Sequence, residues 1–74
     1  MTTAKDKEAL KRYLEYALAD YMAGKKGQRA IIGDIQTSSI RGKELTALLE
    51  NQRSRGDAAK FESLRRECET RGWL

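Results

Sequence analysis

The chain has no histidine, one cysteine, one tryptophan and no long apolar run. Without histidine, zinc sites of the Cys/His type and histidine-based triads are excluded. The lone Cys68 has no partner for an internal disulfide, so a reducing, intracellular compartment is the simplest expectation. No segment approaches the roughly 20 apolar residues of a membrane span. The polar opening from Met1 to Ala9 lacks the apolar core of a signal peptide. A cytoplasmic protein with no membrane partner, no metal and no cofactor is expected.

Catalytic constellations are missing as well. The acid pairs Glu8 and Glu15, Glu44 and Glu50, and Glu62 and Glu69 lie among lysines and arginines, the pattern of a solvated helix face. None has a further ligand or base at a spacing that metal binding or acid–base work requires. Ser38, Ser39, Ser54 and Ser63 have no base partner to activate them. Gly24-Lys25-Lys26-Gly27 is glycine-rich and basic, but it lacks the frame and the Lys-Ser/Thr ending of a phosphate-binding P-loop. An enzyme is not expected.

What is present is a single small domain, residues 1–74, in which 35% of residues are charged and the net charge is +4. A chain of this size has a small core, with about 3–5 kcal/mol of stability to spare. Charge is nearly balanced over residues 5–22. Residues 23–43 carry Lys25, Lys26, Arg29, Arg41 and Lys43 against Asp34 alone. Such an excess suits contact with phosphate or an acidic surface, and it equally suits an ordinary solubilising surface.

The first helix is the clearest element. Leu10, Tyr13, Leu14, Ala17, Leu18, Tyr21 and Met22 recur with helical spacing on one broad face. Thr3 and Asp6 read as a capping box, which starts the helix near Ala4. Gly24 and Gly27 end it, with Lys25 and Lys26 at the negative end of its dipole. Tyr16 falls off the stripe. After Gly27 the pattern shifts to β-branched residues around Gly33-Asp34. A type II′ turn there sets Ile32 opposite Ile35 and Ala30 opposite Thr37, which predicts a short β-hairpin over residues 29–37. A loop or a helical turn is the competing reading.

Thr37-Ser38-Ser39 supplies N-cap formers for a second helix marked by Leu45, Leu48 and Leu49. Arg53, Arg55 and Gly56 mark its end, and Asp57 can cap a third helical segment. Phe61, Leu64 and Cys68 form the stripe of that segment. The twelve residues from Leu49 to Phe61 turn a helix through about 1200°, roughly 120° out of phase, so a turn at Gly56-Asp57 is favoured over one long helix. Near the end of the sequence, Gly72 precedes Trp73 and Leu74. Either Trp73 folds onto the core or the two residues form an apolar tail that docks on a neighbour. The fold expectation is therefore α+β, a helix–β-hairpin–helix domain with a third C-terminal helical segment, with an all-α three-helix domain as the alternative. Read as a helix-turn-helix, the third segment exposes Glu62, Glu67 and Glu69 to phosphate, a poor DNA reader.

The order helix, Gly-Lys, hairpin, serine-rich cap and helix resembles the small phage head–tail joining proteins of the W type. The matching residues are Leu18-Ala19-Asp20-Tyr21-Met22-Ala23-Gly24-Lys25, then Thr37-Ser38-Ser39, the leucine helix from Leu45 to Arg53, and the apolar Gly72-Trp73-Leu74. The third helical segment has no counterpart in that two-helix domain. The resemblance implies a head–tail connector or head-completion subunit, a homo-oligomeric ring beneath the portal at the channel by which DNA leaves the head, in the host cell or the virion. It makes Lys25, Lys26, Arg29, Arg41 and Lys43 candidates for DNA or subunit contact, and Trp73 and Leu74 candidates for docking. Two other readings stand beside it: a basic nucleic-acid-binding or regulatory module, and a small helical inhibitor of a host protein acting through Tyr16 or Trp73.

Overall fold

The computed structural model describes residues 4–74, with four helices and no strand among them. Helix α1 spans Ala4–Met22, α2 Gln28–Ser38, α3 Gly42–Glu50 and α4 Ala58–Thr70. The capping box expected at Thr3 lies outside the described residues.

The β-hairpin does not form, and with it the α+β class falls: the chain is all-helical over the described residues. Ile31, Ile32, Ile35 and Ser38 stand at i, i+1, i+4 and i+7, a helical stripe, and all four are buried. As a helix, this segment lays its three isoleucines into the core. As a two-stranded ribbon it would be marginal without further strands to extend it. Gly33 sits inside α2 over open space. Asp34, expected in the turn, instead takes an ion pair from Lys26 at 2.5 Å and a hydrogen bond donated by the Tyr13 hydroxyl at 3.3 Å.

The serine run also acts differently from expectation. It closes α2 and does not cap α3. Ser38 Oγ donates to the Ile35 carbonyl at 2.7 Å and accepts from the Ile40 N–H at 3.1 Å, and Ser39 is the left-handed C-cap. The N-cap of α3 is Arg41. The break after α3 is where the phase of the stripes required it. The chain turns through residues 51–57, and the Asp57 side chain accepts from the Ala59 N–H at 2.8 Å to cap α4.

Helices α1 and α4 end in the same way. The Lys25 N–H reaches the Asp20 carbonyl and the Gly24 N–H the Tyr21 carbonyl. The Trp73 N–H likewise reaches Cys68, and the Gly72 N–H reaches Glu69. These are Schellman closures, and each needs a left-handed residue, met by Gly24 at φ 82° and Gly72 at φ 76°. The second closure turns Trp73 back onto the core, where it is half-buried. The Trp73 carbonyl accepts from the Gly42 N–H at 2.7 Å, which ties the end of α4 to the start of α3.

Helix directions alternate. Glu44 near the start of α3 meets Lys7 and Lys11 of α1 at 2.6 and 3.0 Å, and Gly56 beyond its end lies against Met22, so α1 and α3 run the same way. The Tyr13–Asp34 contact sets α2 antiparallel to α1. Helix α4 starts beside Tyr21, whose hydroxyl donates to the Lys60 carbonyl at 2.9 Å, and finishes beside Gly42. The core between them comprises Leu14, Leu18 and Tyr21 of α1, the isoleucines of α2, Leu45, Leu48 and Leu49 of α3, and Phe61, Leu64 and Cys68 of α4. Tyr13, expected on the buried stripe, lies at its edge and is 55% exposed.

Candidate functional site

The alternation of helices puts two loops at one end of the bundle: residues 23–27 between α1 and α2, and residues 51–57 between α3 and α4. The contact of Gly56 with the Met22 carbonyl joins them. This end gathers basic residues that are far apart in sequence.

The five cations expected to act together are divided by α2, whose 11 residues span about 16 Å. Lys25 and Arg29 are exposed at the loop end. Lys26 is beside them but engaged: it pairs with Asp34, whose carboxylate holds the ammonium above its usual pKa. Arg41 and Lys43 lie at the opposite end. The Arg41 guanidinium donates to the carbonyls of Ile35, Ile40 and Gln36 at 3.0, 2.8 and 3.3 Å and lies 4.5 Å from the centre of the Trp73 ring. Ile35 and Gln36 are in the last turn of α2 and Ile40 is in the link to α3, so Arg41 holds the α2–α3 corner together. Lys43 is exposed, in a cleft between α1 and α3 that Arg12 also lines.

The loop end gains three cations that the basic run in the sequence does not include. Arg55 comes from the α3–α4 loop, and Lys60 and Arg66 come from α4. Lys60 extends over the Tyr21 ring at 4.7 Å. Arg66 lines a cleft with Gln28 and Ser63, where the Ser63 hydroxyl donates to Gln28 Oε1 at 2.9 Å and ties α4 to the first turn of α2. Among the described residues, Lys25, Arg29, Arg55, Lys60 and Arg66 have no carboxylate at ion-pair distance. The acids of this end are mostly engaged. Asp34 holds Lys26, Glu50 holds Arg53 at 3.2 Å, Asp57 caps α4, and Glu62 is bonded to Arg65. The hydrogen bond from Arg65, with Arg66 and Arg53 close by, keeps the Glu62 carboxyl below the usual range. Asp20 is exposed at the same end.

The three acids that count against α4 as a DNA reader are each in an ion pair: Glu62 and Glu69 share Arg65, and Glu67 pairs with the C-cap Arg71 at 2.8 Å. Burial pushes the Cys68 thiol up to about 11, so it stays protonated and inert at neutral pH. No group of His, Cys, Asp or Glu among the described residues is arranged to hold a metal ion. No described helix is long and apolar enough to cross a membrane. Of the expected docking residues, Trp73 is packed against the core between Arg41 and Arg71, and Leu74 is 39% exposed.

Comparison of the chain with protein-family models, with curated proteins and with solved structures finds no match.

Proposed function

We propose that this protein is a small helical module that contacts nucleic acid through the phosphate backbone, without reading sequence, by the loop end of its bundle. The observation that carries the reading is the convergence of Lys25, Arg29, Arg55, Lys60 and Arg66 on that end, while the acids around them are mostly engaged in ion pairs and a helix cap. Cations left without carboxylate partners can displace the counterions condensed on a polyphosphate, and that release drives non-specific association. The α2 N-terminus adds to the field, since Gly27 caps it with no side-chain acceptor and its first N–H groups face the same end.

Titration of a labelled DNA duplex across salt concentration tests this. With about five phosphate contacts, log affinity falls against log salt with a slope of about −4.5. Affinity independent of salt, or no binding at low salt, contradicts the reading.

A second reading is the assembly subunit that the resemblance implies. Its hairpin is helical here and Trp73 is folded in. What favours it is Tyr16, 74% exposed on the outside of α1, an aromatic available to another subunit. Self-association that survives high salt would distinguish it from phosphate binding.

A further inference from the structure

Beside the loop end, a cleft of about 300 Å³ opens between α1 and the α3–α4 connection. It is lined by Glu15, Tyr16 and Ala19 from α1 and by Asn51, Gln52 and Arg55 from the connection. Gln52 is 4% exposed, yet its Oε1 is buried with no hydrogen-bond partner. A buried acceptor left unpaired is costly, and in a folded protein it calls for a donor. Gln52 is itself part of the cleft lining. Tyr16 at the rim has its ring in solvent, and Arg55 belongs to the cation cluster described above.

We infer that this cleft takes an unpaired base of single-stranded nucleic acid. The inference rests on the phosphate-contact reading and adds a substrate class to it. Each polar or aromatic lining group has a task in that recognition. The Tyr16 ring supplies a face on which a base stacks, an interaction tolerant of sequence because every base has a π-face. The Asn51 and Gln52 amides meet the hydrogen-bonding edge of a base freed from its pair. The Gln52 acceptor finds its donor in an exocyclic amine, and the Glu15 carboxylate accepts from the same kind of group. Arg55 holds the adjoining phosphate, and Lys25 and Arg29 continue the charged track beyond it. A duplex, with its bases stacked and paired, offers nothing to the cleft and binds through phosphate alone.

The test measures the anisotropy of a fluorescein-labelled DNA strand of about 16 nucleotides, a length within the range of single-strand sites, and of its duplex at the same salt. The proteins compared are wild type, Tyr16→Ala and Tyr16→Phe. Tyr16 is solvent-facing and alanine is the best helix former, so the Ala variant keeps the fold, which circular dichroism confirms. The expected result is tighter binding of the single strand by wild type and a loss of about tenfold for Tyr16→Ala on the single strand only. Tyr16→Phe, which keeps the ring, retains wild-type affinity. Equal affinity of wild type for strand and duplex, or no effect of Tyr16→Ala, overturns the inference while salt-sensitive duplex binding leaves the phosphate reading in place. Binding of neither oligonucleotide at low salt removes both.

Discussion

At the scale of single residues, Gly56 is the one glycine at which an added Cβ would meet a neighbour within 4 Å. A Cβ built there would stand 2.9 Å from the Met22 carbonyl oxygen and 3.1 Å from its Cε. Contact with a backbone oxygen cannot be relieved by a rotamer change, so helix and loop must separate. Gly56→Ala is expected to destabilise by about 1–3 kcal/mol, the range of overpacked sites, offset in small part by the stiffer unfolded chain. A shift of the urea midpoint to lower concentration at unchanged slope checks this, and an unchanged midpoint contradicts it. The same contact joins the two loops that carry Lys25 and Arg55, so this glycine also sets the spacing of the proposed site. Arg41 shows how a residue's role depends on place. In sequence it belongs to a basic run, whereas in the fold its guanidinium serves the carbonyls closing α2.

At the scale of elements, most of the helical framework is legible in the sequence. The stripe of α1 apart from Tyr13, the leucines of α3, the turn at Gly56-Asp57 and the Asp57 cap are where spacing and capping chemistry place them. The middle of the chain is not. Ile31, Ile32 and Ile35 satisfy a hairpin around Gly33-Asp34 and a helical face equally well, and Gly33 tips a local reading toward the turn. The decision is tertiary: α1 offers an apolar face, and three isoleucines on one side of a helix fill it. The candidate site is legible only in part. Lys25 and Arg29 stand in the basic run, but nothing local shows that Arg55, Lys60 and Arg66 join them, because only the alternating helix directions bring the two loops together. Gly33→Ala separates the two structures by sign. In α2 its Cβ meets open space, so the variant gains about 0.5–1 kcal/mol of helix stability. In a II′ turn the same change would strain a positive φ and lower stability. Thermal melting of the variant reads the sign directly.

At the scale of the whole molecule, the proposed function draws on charge left over after the fold has used the rest. Glu44 fastens α3 to α1 through ion pairs with Lys7 and Lys11, whose ammonium groups hold its carboxyl below the usual range. Arg65 and Arg71 are engaged along α4. With these removed, a small net charge of +4 becomes a local excess at one end of the bundle. A charge acting only through the total would make every exposed cation equivalent, whereas a built site makes them unequal. The most direct measurement compares two double variants that remove the same charge: Arg29→Ala with Arg55→Ala at the loop end, and Arg12→Ala with Lys43→Ala in the cleft between α1 and α3. All four side chains belong to exposed residues, so neither pair disturbs the core. Titrated against labelled DNA over a range of salt, the loop-end pair is expected to lose about tenfold or more in affinity and to flatten the salt slope by about two. The control pair should stay within about twofold of wild type. Equal losses from both pairs, or none from the loop-end pair, would contradict the account.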